Sequence, residues 1–208
     1  MEFFDLESFI KTIGLLGVFG VIFAETGLLI GFFLPGDSLL FMAGFLASQD
    51  FLNFPALMAG TFIAAVVGDS VGYAFGKKAG PAIFRKEDSR FFNKKNLDRA
   101  QKFYEKHGGK TIILARFMPI VRTFAPILAG VGKMKYTHFI AYNVIGGFVW
   151  TVGLTSLGFY LGNILLDPDK YILPIIILII VLSVLPGIIH AMRDKETRDK
   201  LLGFFRKQ

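Results

Sequence analysis

FAETGLLIGFFLPGDSLL, residues 23–40, is among the most apolar passages of the chain, yet it carries Glu25 and Asp37, with Pro35 and Gly36 directly before the aspartate. A Pro–Gly pair interrupts a helix. An ionisable side chain at the bilayer centre costs on the order of 2.5–3.5 kcal/mol on insertion scales. A greasy run that keeps both features predicts a helix broken inside a membrane around a polar site. The segment after the break, SLLFMAGFLAS, is eleven residues long before Gln49 and Asp50. At about 1.5 Å per residue it covers roughly half the hydrocarbon thickness. Residues 21–49 therefore read as a re-entrant hairpin, two half-helices meeting at a break.

A second stretch fails as an ordinary span in the same way. TIILARFMPIVRTFAPILAGVG, residues 111–132, is cut by Pro119 and Pro126 and contains Arg116 and Arg122. It is read as a second re-entrant hairpin, because such breaks are tolerated only where protein or a wet cavity satisfies the freed peptide groups. SLLFMAG (38–44) is echoed by FAPILAG (124–130), each just downstream of a proline and a charged residue. Paired broken helices in two halves point to a transporter site at the repeat interface.

The rest of the chain sets the class. Of its 208 residues, 53% are hydrophobic and 24 are Phe, more than a soluble core requires. Tyr171 to His190 holds twenty residues without an Asp, Glu, Lys or Arg, about one bilayer crossing. Asn53 to Gly76 is interrupted only by Asp69, and Thr137 to Gly162 gives a third apolar run. The expected fold is an all-α polytopic membrane protein with two broken-helix hairpins in a pseudo-repeat. Its transmembrane helices are expected at about 53–76, 138–162 and 171–190, in a single domain spanning 1–208. The N-terminus MEFFDLESFIK opens with acids instead of the basic start of a cleavable signal, so the first apolar segment is expected to stay. Residues 1–20 are compatible with an interfacial or an inserted position.

Charge orients the chain. Residues 77–110 hold 11 Lys/Arg against 4 Asp/Glu, a surplus equal to the +7 of the whole chain, and the tail 191–208 holds 6 against 3. Both are expected on the cytoplasmic side, with two crossings between them joined outside at LDPDK. The same charges in a soluble protein could suit nucleic acid. Beside membrane helices they read as orientation signals and contacts to anionic lipid, and no nucleic-acid partner is expected. Within the loop, NLDRAQKFYEKHGG reads as a short amphipathic helix stopped at Gly108–Gly109.

Two acids in one hairpin and two arginines in the other could compensate each other if the hairpins dock face to face. A desolvated carboxylate is suited to taking up and releasing protons. An arginine stays charged and presents a planar fork to phosphate oxygens. Competing readings stand beside these: Asp37, followed by Ser38, as an N-cap, and Arg116 or Arg122 as interfacial anchors. Pro35, Gly36, Asp69, Pro119, Thr123, Pro126 and Asn143 are candidate pocket-supporting residues. Glycines 68, 72, 76 and 80, extended by Gly60 and Ala64, form a small-residue stripe for close helix approach. The stripe also makes a homodimer compatible with the sequence. Trp150 is read as packing.

With no cysteine, disulfides, thiolate metal sites and iron–sulfur clusters are excluded. His107, His138 and His190 have no metal spacing, and there is no HExxH, GxSxG or Walker-type loop. Neither an enzyme nor a bound cofactor or metal is expected.

GFFLPGDSLLFMAG, GDSVGYAFGKKAG and ARFMPIVRTFAPILAGVGKM, followed by F..YN..GG..W, resemble the bacterial DedA family of the VTT-domain, SNARE-associated superfamily. The resemblance covers about residues 10–165. It implies that Glu25 and Asp37, and the two arginines of RF.P..R, Arg116 and Arg122, are functionally required. It also implies a bacterial cytoplasmic-membrane carrier for undecaprenyl phosphate, or in some members phosphatidylethanolamine, linked to the proton gradient. Lipid substrate, protons and the membrane are thus the expected partners. An uncoupled phospholipid scramblase and a proton-coupled small-ion or drug antiporter are the alternatives.

Overall fold

The computed structural model describes residues 6–28, 34–83 and 108–164, together with Pro174. Every element among them is a helix: α1 (Leu6–Gly27), α2 (Gly36–Ser48), α3 (Phe54–Ile83), α4 (Lys110–Ala115), α5 (Pro119–Val131) and α6 (Tyr136–Ile164). Three of these, Leu6–Gly27, Phe54–Gly80 and Tyr136–Ile164, are long and apolar enough to cross a membrane. Most of the basic loop with its expected amphipathic helix, the helix expected at 171–190 and the tail 191–208 lie outside the described residues.

The first hairpin read from the sequence starts later than its helix does. Residues 21–27 are the end of α1, which begins at Leu6 and bends at Gly14, where φ is +60° and ψ −166°. Only glycine takes that conformation without strain. Beyond the bend, residues 15–27 and α2 are each about 20 Å long, short of the roughly 30 Å hydrocarbon core. In the second hairpin the break falls at residues 116–118, ahead of Pro119, which opens α5 at a position where its missing N–H costs nothing. Pro126 does not cut this segment, because α5 runs through it to Val131. The helix expected to end at residue 76 continues to Ile83, so Lys77 and Lys78 lie on α3 instead of opening the loop.

The long helices have the polarity of a membrane protein. On α3, Ile63, Val67, Val71 and Phe75 are exposed at four-residue spacing, while Ala64, Gly68 and Gly72 are buried. Large apolar side chains face outward, and small ones face the neighbouring helices. On α6, Phe148 and Val149 face out while Asn143, Gly146, Gly147, Trp150, Thr151 and Thr155 are buried. A soluble bundle inverts this pattern. In lipid the outer face has no water to avoid, and association depends on close packing and buried hydrogen bonds.

The glycine stripe of α3 is occupied within the chain. Gly60 lies against Phe19 and Gly68 against Phe23 and Thr26 of α1, while Gly72, Gly76 and Gly80 meet Pro126, Ile127 and Val131 of α5. The sequence echo also has a packing counterpart. A Cβ on Gly44 would overlap the carbonyl of Thr155, and one on Gly158 that of Phe41. A Cβ on Gly130 would likewise overlap the carbonyl of Tyr73, and one on Gly76 that of Ile127. The echoed pairs Phe41/Gly44 and Ile127/Gly130 thus clasp long helices by the same reciprocal glycine-on-carbonyl contact. Each thirteen-residue helix packs mainly on the long helix of the other half, α2 on α6 and α5 on α3. The two also end alike, through left-handed residues Asp50 and Lys133 (φ 61° and 55°).

Gly130→Val is therefore expected to destabilise the fold by about 1–3 kcal/mol through overpacking. Gly20→Ala, where a Cβ meets nothing within 4 Å, should be close to neutral. Thermal unfolding of detergent-solubilised protein distinguishes the two, and equal behaviour would remove the clasp as a structural element.

Candidate functional site

The short helices help bring five helices and one turn together at two adjoining buried clusters. Glu25 sits near the end of α1, and the start of α2 lies directly against it: a Cβ on Gly36 would overlap Glu25 Oε2. A side chain at 36 would displace the carboxylate of Glu25 from its place. Asp37 stands in the first turn of α2, where the helix dipole favours a negative charge. Arg122 is fixed on the first turns of α5 by its backbone N–H bond to the Met118 carbonyl (2.9 Å). Pro126, one turn on, cannot donate to the Arg122 carbonyl, so that carbonyl lacks its usual helical partner. Arg116 occupies the turn between α4 and α5.

Arg122 bridges the acids of the first hairpin. Its Nη2 donates to Glu25 Oε1 and its Nη1 to Asp37 Oδ1 at 2.5 Å. Trp150, from α6, donates its indole N–H to the same Asp37 Oδ1 at 2.7 Å. The Arg122 guanidinium lies 4.6 Å from the centroid of the Trp150 ring, within cation–π range. Arg116 forms a separate cluster. Its Nη2 donates to Asp69 Oδ2 and to Asn143 Oδ1, and Asn143 passes a hydrogen bond from its Nδ2 to the Val66 carbonyl at 3.0 Å. The Arg116 guanidinium is 5.8 Å from the same indole centroid. Trp150 is thus the shared wall between the two arginine clusters.

Two guanidinium groups face three carboxylates, all within ion-pair distance, so the fully ionised cluster carries one net negative charge. The side chain of Asp37 is 14% exposed, against 5% or less for the other four, which makes Asp37 the point of access. Nε and Nη1 of Arg116, Nε of Arg122 and Oγ1 of Thr123 are buried and find no hydrogen-bond partner among the described residues. Buried donors of this kind cost about 1–3 kcal/mol each when unmet. Two guanidinium groups with unspent donors beside three carboxylates are chemically suited to receiving an anion.

Several readings change. Asp37 is not the N-cap of α2: the helix starts at Gly36, two residues earlier than that reading, with Pro35 in the cap position and no side-chain cap bond. Its carboxylate serves Arg122 and Trp150 instead. Arg116 does not reach out as an interfacial anchor but is 2% exposed and paired with Asp69. Arg122 of α5 does meet Glu25 of α1 and Asp37 of α2, but Arg116 is compensated by Asp69 of α3. Asn143 is brought into the Arg116 cluster. Pro35 is exposed and Pro126 is buried beside α3. Pro119 opens α5, and Thr123 is buried one residue from Arg122. Trp150, read from sequence as packing, does lie in the apolar core, and it also contacts Asp37 and both arginines, which that reading missed. The signal was its seven-residue spacing from Asn143 in an otherwise apolar helix, which puts both on one face.

Residues 34–160 match the VTT domain family. The chain is 51% identical to Protein DedA of Escherichia coli K12 over 180 residues, covering 86% of this chain and 82% of that protein. It is 41% identical over 194 residues to an uncharacterised membrane protein of Mycobacterium leprae, covering 93% of this chain and 86% of the other. An uncharacterised membrane protein of Synechocystis matches at 30% over 164 residues, 78% of this chain and 75% of the other. No solved structure matches.

Proposed function

The chain belongs to the VTT-domain (DedA) family of membrane proteins, and from that premise we propose that it carries a phosphate-headed lipid, undecaprenyl phosphate, across the bacterial cytoplasmic membrane in exchange with proton movement. The observation that carries this reading is the bridging of Arg122 by two carboxylates from different helices, Glu25 and Asp37. A phosphate group needs the same guanidinium donors that these acids occupy.

With the acids ionised, they compete with phosphate for Arg122. With one or both protonated, the guanidinium is released and the cluster loses its negative charge. Arg116, held by a single carboxylate and an amide, keeps donors to spare for the headgroup, and Arg122, beside the more exposed Asp37, is freed for it once protons arrive. Asp69 thereby joins Glu25 and Asp37 as a carboxylate that the substrate must displace or neutralise. The lipid tails stay in the bilayer beside the outward apolar faces of α3 and α6. The basic loop and tail lie on the cytoplasmic side in this scheme. The protein moves its substrate without making or breaking a covalent bond, so it is no enzyme and needs no cofactor.

Purified protein in sealed liposomes, with labelled undecaprenyl phosphate or labelled phosphatidylethanolamine in separate batches, tests the proposal through leaflet exchange with and without a pH gradient. Exchange of the polyprenyl phosphate is expected to rise several-fold with the gradient. Movement of phosphatidylethanolamine alone under the gradient would transfer the carrier reading to that lipid. Equal movement of both lipids without a gradient would make the protein a scramblase. Proton flux with neither lipid moving would favour an antiporter of small ions or drugs.

A further inference from the structure

Trp150 is the single tryptophan of the chain and is 2% exposed. A buried indole commonly finds some acceptor for its N–H, so one hydrogen bond does not set it apart. What does is the choice of partner. The acceptor, Asp37 Oδ1, is the same oxygen that receives Nη1 of Arg122, and the indole ring lies over that same guanidinium. One side chain therefore contacts both members of one buried ion pair, while its ring also lies within 5.8 Å of the second arginine.

We propose that Trp150 is a positioning residue for proton exchange at Asp37, holding the ionised carboxylate against Arg122 and letting it go on protonation. The indole N–H can only donate. With Arg122 it places two donors on Oδ1, so a proton has no room on that oxygen. A proton taken by the other carboxyl oxygen turns Oδ1 into a neutral acceptor, and both charge-assisted bonds to it weaken. The indole then loses its anchor where it touches both arginine clusters. Loss of the Asp37 charge is thereby transmitted to Arg116 as well as to Arg122. Among the described residues, Arg122 from α5 pairs with Asp37, and Glu25 from α1 lies across that arginine. Arg116, before α5, and Asp69 on α3 lie on the far side of the indole. Trp150 brings its donor to Asp37 from α6, the helix that α2 clasps.

The inference rests on the carrier reading only for its effect on transport, and its spectroscopic test does not depend on any substrate. With one tryptophan in the chain, intrinsic fluorescence of the purified full-length protein reports this site directly. Its emission is expected to change in a step as pH is lowered, and the step is expected to disappear in Asp37→Asn. Emission that stays constant with pH, or a step that persists in Asp37→Asn, would overturn the proposal. Trp150→Phe keeps a ring and removes the donor, disfavouring the ionised acid. The pH profile of liposome transport should then move upward by about one to two units, the equivalent of one lost hydrogen bond to a charged group. A reduced rate on an unmoved profile would mark Trp150 as packing alone. If the variant fails to fold, or no lipid is moved, the wild-type and Asp37→Asn titrations still decide the matter.

Discussion

Arg122→Ala is expected to abolish lipid transport and to cost about 3–5 kcal/mol of stability at neutral pH, the range seen when one member of a buried ion pair is removed. The cost stands near the upper end because this guanidinium holds two carboxylates, Glu25 and Asp37, with side-chain exposures of only 1% and 14%. Left without a cation, buried carboxylates take up protons instead of staying charged. The penalty should therefore shrink as pH falls, since the acids no longer have to be neutralised on folding. Unfolding midpoints of wild type and variant across pH test this, and a difference independent of pH would mean that the pair contributes shape rather than charge. Adding Glu25→Gln to Arg122→Ala should recover part of the stability and none of the transport. Arg122→Lys should fall between the two, because an ammonium is a point charge and cannot offer two planar edges to two acids.

That variant also shows where sequence reading succeeds and where it stops. Pro35–Gly36 and the short run behind it mark a break, and the charges on either side mark a polar site, because a bilayer penalises both unless they are used together. Pairing between the two hairpins follows from charge alone. Which arginine pairs with which acid does not. The stripe of small residues on α3 gives close approach but not the partner, and Arg116 meets Asp69 only because α5 and its leading turn lie along that stripe. Gly36 reads as a helix breaker, while its contact with Glu25 depends on how the end of α1 meets the start of α2. Trp150 was illegible for a similar reason. An aromatic on an apolar helix is ordinarily packing, and its acceptor is 113 residues away in the chain. The echo of SLLFMAG in FAPILAG, by contrast, carried more than its seven letters suggest. Its glycines are the residues that let each short helix clasp the long helix of the other half.

The second large effect concerns coupling. Glu25→Gln combined with Asp37→Asn leaves two arginines facing one carboxylate, Asp69, so the cluster changes from one net negative charge to one net positive charge. Both replacements keep volume and an acceptor oxygen, so the guanidinium is not stranded without hydrogen bonds. In the proposed wild-type cycle, an arriving phosphate adds negative charge to a site already negative, and protons enter with it. In the double variant the phosphate meets a positive site and needs none. Exchange driven by the pH gradient should therefore fall to the level seen without a gradient, and its pH dependence should flatten. Binding of undecaprenyl phosphate at alkaline pH should tighten by at least about tenfold, because even about 1.4 kcal/mol of recovered attraction in a low-dielectric site gives that factor. Release should slow correspondingly, so slow pH-independent exchange is expected in place of fast coupled transport. Transport with the wild-type rate and pH dependence would sink the coupling scheme outright. Loss of all binding would instead assign the two acids to shaping the site, with the proton then entering at Asp69.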